Sequence, residues 1–361
     1  MGYIRKRVTR VGSGAYSIYL PKKWIEDWCE KQKESMEVEL LTLGEHLIVS
    51  PIVRKMEKEI DAKLENIEEA KYALISSYIN GYENFKLNSR ERLKEEVICG
   101  AMAFTRSLDE NIVARVSENS IACTMRAQAQ LPTYKDLLSL LFDRNLDIIE
   151  MAKEILFYYE LNPNRTLHIM KMVYSIEEED IDRLTYQILR LLVNLQVQVN
   201  SLSELYFLCL VSDVLERIGD ALIGIVELVC ELYGINKEHL SYPIEILEKE
   251  LHINEVPSQQ EMKKLYIDTL EMCIEELTKA KKIVLERNGY EALAFSKAAA
   301  ELRIKFEKEL FSAVSKIRLE KSSAKDKRKV LTILKIGHRL RELITRIESF
   351  GKRTAQFYYS I

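Results

Sequence analysis

Asp213-Val-Leu-Glu-Arg-Ile-Gly-Asp-Ala221 sits inside the most apolar stretch of the chain, Leu205 to Cys230, and its spacing decides the fold. Asp213, Glu216, Asp220 and Glu227 recur at helical steps that place them within about 60° of arc. Most of the remaining circumference is apolar. Such a segment is a helix buried on most sides, with one charged stripe. Its internal charges, Arg217 among them, make it a core helix and not a membrane span.

Working outward, apolar positions recur every three or four residues over Met56–Asn80, Arg90–Arg106, Tyr134–Leu161, Ile176–Asn194 and Ser203–Tyr233. Asn162-Pro163-Asn164 breaks this run. Residues 241–258, with Pro243 and Pro257, read as a linker. Three further helices are predicted over 259–287, 291–318 and 326–357. A low count of 12 Gly and 6 Pro in 361 residues agrees with long helices and few tight turns. A weak internal repeat is visible, because Glu216-Arg-Ile-Gly-Asp220 has a counterpart at Leu334-Lys-Ile-Gly-His338. The predicted fold class is mainly α: tandem three-helix bundles over 131–240 and 259–361, the second degenerate. A helical connector is predicted over 53–130, preceded by a small β domain over 1–52.

The β domain reads from Tyr16-Ser-Ile-Tyr-Leu20, a short helix at 22–28, and alternating residues at 38–43 and 46–49 around Gly44. It is also the basic end. Arg5, Lys6, Arg7, Arg10, Lys22 and Lys23 occur in residues 1–24 with no acid, so a net charge of −3 overall divides into +6 there and −9 elsewhere. A localised basic footprint on an acidic body points to nucleic acid. The other reading is a dimerisation module kept soluble by its charges. The stretch Arg5 to Trp24, with its basic strand, Gly-containing turn and Leu20-Pro-Lys-Lys-Trp24 step, resembles the AbrB/SpoVT-like swapped-hairpin domains. That resemblance implies an interlocked homodimer and DNA contacts from the six basic residues.

Two acidic pairs carry the remaining signal. Glu178 and Asp182, and Glu216 and Asp220, each stand four residues apart, on one face of their helices. Carboxylates from neighbouring helices suit a hard or borderline cation. Two plainer readings remain open: Ser175 with Glu178 forms a helix-start capping box, and the second stripe is a solvated face. The Glu178–Asp182 and Glu216-Arg-Ile-Gly-Asp220 combination is similar to the signature of PhoU proteins. The likeness implies two three-helix bundles, iron or another divalent metal held by Glu178, Asp182, Glu216 and Asp220 with Asp213 assisting, and a role in phosphate homeostasis. In the second bundle Leu334 and His338 replace two of the expected carboxylates, so a second metal centre is not expected.

No nucleotide-binding, zinc-protease or serine-hydrolase motif occurs, and the ferritin-like Glu-x-x-His pair is missing, so an enzyme is not expected. The six Cys form no CxxC and read as reduced core residues. With neither a secretory signal nor an apolar span, a cytoplasmic protein without membrane insertion is expected. The leading expectation is a phosphate-homeostasis regulator that binds DNA through its head and senses state through its bundles. An adaptor that dimerises through the head and docks on a phosphate transporter ATPase or sensor protein is the first alternative. A metal-dependent enzyme or iron store is the second.

Overall fold

The computed structural model describes residues 7–26, 38–43, 46–51, 57–61, 66–126, 132–158, 163–194, 201–232, 259–315 and 324–360. The expected linker at 241–258 lies outside them. The chain divides into two compact units, Met1–Lys55 and Met56–Ile361.

In the first unit, β1 (Thr9–Val11) and β2 (Ala15–Ser17) form an antiparallel hairpin with Arg10 opposite Tyr16. Gly12 has φ 68°, the left-handed conformation a tight hairpin loop needs and a side chain resists. A helical turn follows at 22–26. Strands β3 (Val38–Leu43) and β4 (His46–Pro51) make a second hairpin. No side chain described in this unit is buried, and Val11, Tyr16, Tyr19, Leu40 and Leu47 are exposed. Two small hairpins have too little surface between them to build a core.

The second unit is mainly helical, but it opens with a sheet. Strand β5 (Glu57–Asp61) leads to α1 (Ile67–Ile79), β6 (Asn84–Asn88), α2 (Glu95–Leu108), β7 (Ile112–Val116) and β8 (Ser120–Met125). The strand order is β5-β6-β8-β7, with β5 and β6 parallel across α1 and the other pairs antiparallel. This corrects the expected helical connector over 53–130. The two helices are there, but each stands between strands that periodicity missed. The strands are only five or six residues long. Phe85, Leu87, Ile121 and Cys123 point into one core with Leu74 and Tyr78, while the alternate residues of β6, Asn84, Lys86 and Asn88, are polar and only half-buried.

The long helices follow as α3 (Tyr134–Tyr158), α4 (Pro163–Ser175), a single π-helical turn (Ile176–Ile181), α5 (Asp182–Val193) and α6 (Leu202–Leu232). Next come α7 (Gln259–Glu286), α8 (Gly289–Ser315) and α9 (Ala324–Ser360). Helices α3, α5 and α6 pack on one another, as do α7, α8 and α9. The two groups share a core, with α3 on α7 and α6 on α9. Phe142 meets Phe350 at 5.4 Å between ring centroids, Phe207 stacks on Phe357 at 4.7 Å, and Lys281 bonds Asp143 at 2.6 Å.

The repeat seen in sequence has a packing counterpart. A Cβ on Gly219 would lie 3.0 Å from Ile181 of the π turn and 3.8 Å from Asn145 of α3. One on Gly337 would lie 2.9 Å from Leu310 of α8 and 3.1 Å from Tyr266 of α7. In each group, side chains from two other elements close on the glycine of the third helix. Further along α9, a Cβ on Gly351 would stand 2.7 Å from the Ala292 carbonyl oxygen. Helix propensity favours Ala over Gly by about 1 kcal/mol, but a backbone atom cannot rotate away. Gly351→Ala is therefore expected to destabilise the fold by about 1–3 kcal/mol, as overpacking does, read from urea unfolding midpoints.

Candidate functional site

The acidic site forms where α4 passes through its π turn into α5 and faces α6. The expected helix start at Ile176 is not there. Pro163 opens the helix, as proline suits a first turn, and the chain stays helical to Val193. Ser175 is a mid-helix residue with no capping bond, and its hydroxyl donates to Glu179 at 3.0 Å. The capping-box reading of Ser175 and Glu178 is thereby corrected. In the π turn the Asp182 N–H donates to the Glu177 carbonyl, five residues back. Wide turns of this kind concentrate at functional sites.

The extra residue changes which acids face inward. Glu177 is half-buried beside Asp182, while Glu178 is exposed. Burial, reinforced by the charges of Asp182, Asp220, Glu178 and Glu216, pushes Glu177 up to about 8. Burial, then Asp220 and Glu178, raises Asp182 to about 6, against a lowering pull from Lys71 of α1. Burial, then Asp220, Asp182 and Asp213, brings Glu216 up to about 7. The Tyr186 hydroxyl is also driven up, by burial and then by Asp182, Glu216 and Glu177.

Four of the five expected site residues, Glu178, Asp182, Glu216 and Asp220, thus act on one another across the α5–α6 seam. Asp213 is drawn away into an ion pair with Arg217 at 3.0 Å, although its charge still reaches Glu216. Glu227, on the same stripe, accepts a hydrogen bond from Tyr174. Glu177 is the residue that sequence reasoning missed; only its place in the run Glu177-Glu-Glu-Asp180 hinted at it.

The neighbouring acids show how unusual the cluster is. Asp180 pairs with Arg144 at 2.9 Å and Arg183 at 2.6 Å. In the second helix group, Glu307 is held by Arg341 at 2.5 Å and Arg303 at 3.3 Å, and buried Glu348 by Arg303 at 3.1 Å and Lys352 at 2.5 Å. His338 is exposed, 3.4 Å from Glu342. Among the described residues, Glu177, Glu178, Asp182, Glu216 and Asp220 have no such side-chain partner. Their oxygens are the donor chemistry that magnesium, manganese or ferrous iron takes. No three His, Cys, Asp or Glu among the described residues are already arranged to hold an ion, so coordination here requires side-chain rotation toward a common point.

The sheet module rests on the same helix. Arg190 of α5 donates to the Tyr78 carbonyl and lies 4.7 Å over the Tyr78 ring, and Asn194 donates to the Ile79 carbonyl at 3.0 Å. Tyr78 in turn donates to Asp109 at 2.8 Å. Helix α5 therefore carries Asp182 at one end and the sheet module's α1 at the other.

Of the six basic head residues, Arg7, Arg10, Lys22 and Lys23 are exposed; Arg5 and Lys6 lie outside the described residues. Arg10 donates to the Ser13 carbonyl at 3.3 Å, which steadies it over the hairpin loop, and Lys22 pairs with Glu26 at 3.4 Å. Among the described residues, no helix is long and apolar enough to cross a membrane. No protein-family model matches the sequence, and no curated protein matches it.

Proposed function

We propose that this chain is a non-enzymatic regulator of phosphate homeostasis, in which the basic head binds DNA and an acidic centre between α5 and α6 takes up a divalent cation. The observation that carries the reading is the set of carboxylates facing one another across two helices with no side-chain partner among the described residues, while Asp180, Glu307 and Glu348 are paired with Arg or Lys. Glu177, Asp182, Glu216 and Asp220 would hold the ion, with Glu178 at the rim. The ion supplies positive charge that cancels their repulsion. Helix α5 links that centre to the sheet module through Arg190 and Asn194, so charge at one end bears on packing at the other.

The absence of any buried side chain in the described head supports a homodimer, because two copies together cover the apolar residues that one leaves exposed. Exposed Arg7 and Arg10 on or beside β1 supply the phosphate or base contacts, and Lys22 and Lys23 suit the backbone. A transporter ATPase or sensor protein is the partner class this reading gives the helical unit.

The test is duplex binding by fluorescence anisotropy over a salt series, using the source genome's phosphate-transport promoter and a scrambled duplex. The wild-type chain is expected to prefer the promoter, with affinity falling steeply as salt rises. In the Arg7→Ala/Arg10→Ala double variant, binding weakens and the log–log salt slope drops by about 2 per head if both contact phosphates. No binding at low salt by the wild type would overturn DNA recognition and leave the head as a dimerisation module.

A further inference from the structure

Helix α8 buries one face against α7 and α9 through Ala292, Phe295, Ser296, Ala299 and Phe306. An outward face is normally polar. Here it carries Tyr290, Leu293, Ile304 and Phe311, all exposed, with Tyr290 at 79% and Phe311 at 76%. At helical periodicity these four fall within about 60° of arc, along about 30 Å of helix. Isolated surface apolar residues are ordinary, but a row on one stripe is a seam for another helix. Lys297, Glu301 and Lys308 share the stripe, and a shallow groove bounded by Glu301, Ile304, Lys305 and Lys308 runs along it.

We propose that this seam pairs antiparallel with α8 of a second copy of the chain, about a two-fold axis near Ala300. The argument is that the stripe complements itself when reversed. Turning α8 about Ala300 brings Tyr290 within one residue of Phe311 and Leu293 within one turn of Ile304, so apolar meets apolar at both ends. The same operation brings Lys297 within two residues of Glu301, so acid meets base at the centre, while at each end Glu291 comes opposite Glu309 with Lys305 four residues away. A parallel copy would set Lys297 on Lys297, Glu301 on Glu301 and Lys308 on Lys308, whereas in the antiparallel pair only Glu301 stays beside its own counterpart, each flanked by Lys297 of the other copy. Ala294, Ala298 and Ala300 leave room at the centre for close approach. The groove then faces Leu293 of the second copy. A patch that complements itself under reversal is what a two-fold interface requires, each residue being used twice.

This surface is separate from the exposed apolar residues of the head. The full-length chain thus has two places at which copies meet, and the sequence signalled only the first.

Cysteine crosslinking of the full-length protein under a mild oxidant tests the geometry, with the parent chain as background for its native thiols. Glu301→Cys stands near the axis and faces its own counterpart, so it is expected to give a covalent dimer. Lys308→Cys, on the same stripe, stands about 24 Å from its counterpart along the axis of an antiparallel pair and is expected to give none. Adding Phe311→Glu to Glu301→Cys is expected to abolish the crosslink, and the exposed position leaves the fold intact by circular dichroism. Crosslinking at both positions would mean a parallel or random encounter and would overturn the proposal. So would no crosslink at 301 above background, or one that survives Phe311→Glu.

Discussion

Arg287→Ala is expected to lower the stability of the helical unit by about 3 kcal/mol, the low end of the cost of breaking a buried ion pair. Arg287 follows α7 with φ 57°, a left-handed conformation that costs a side chain about 1–2 kcal/mol. Its N–H donates to the Val284 carbonyl at 3.3 Å, and the next N–H donates to Ile283 at 3.0 Å, which closes the helix end. The guanidinium reaches Glu204 at the start of α6 and the Tyr134 hydroxyl at the start of α3. One residue therefore ties three helix ends together. The Glu204 side chain is only 2% exposed, and that of Arg287 is 28% exposed, so removal of the cation takes a positive charge away from a buried carboxylate. Arg287→Gly loses the same ion pair but adopts the left-handed turn freely, so it should unfold at a higher urea concentration than Arg287→Ala. If both variants matched the wild type, the clasp would contribute nothing.

The second large effect concerns pH and cations. Without added metal, stability is expected to fall as pH rises from about 4 to 8. In the unfolded chain the carboxyls of Glu177, Asp182 and Glu216 ionise near 4, whereas in the fold they are held up to about 8, 6 and 7. Across that window the folded chain binds more protons than the unfolded one, so the unfolding free energy decreases with rising pH. A divalent cation replaces those protons. At pH 8, free Mn²⁺ at about 100 times its dissociation constant would add about 2.7 kcal/mol, while at pH 5 protons compete and the gain shrinks. Thermal melts with and without Mn²⁺ at both pH values measure this. Glu216→Gln is expected to flatten the pH profile and reduce the Mn²⁺ response together. A melting curve indifferent to Mn²⁺ at pH 8 would remove the cation from the proposed function while leaving the pH trend in place.

Much of this architecture was legible in the sequence, for particular reasons. The long helices around Glu216 and Gly337 repeat their apolar positions over many turns, so the period is secure. In the head, the hairpin around Gly44 and a strand at 16–20 read from alternation, whereas the pairing of Ala15–Ser17 with Thr9–Val11 did not. Nor did the sheet module, because Glu57-Lys-Glu-Ile-Asp61 is mostly charged and five residues give too few alternations to outweigh helical neighbours. Its strands hold only through pairing with residues far along the chain, such as Phe85 opposite Cys123. The site was half legible. The spacing of Glu216 and Asp220 survives intact in α6. That of Glu178 and Asp182 does not, because the π turn gives Glu177 the inward place. A single widened turn depends on what packs against it, here Ile181 against Gly219, and leaves no mark in local periodicity.

The aromatic contacts between the helix groups also bear on how the chain folds during synthesis. Phe142 and Phe207 belong to helices translated early, yet their ring partners, Phe350 and Phe357, stand in α9. More than a hundred residues separate the end of α6 from Phe350, so at ordinary ribosomal speeds the first helices wait about 6–24 s with an apolar flank uncovered. During that interval the nascent chain is a substrate for holding chaperones, and its native core closes only when the last described helix emerges.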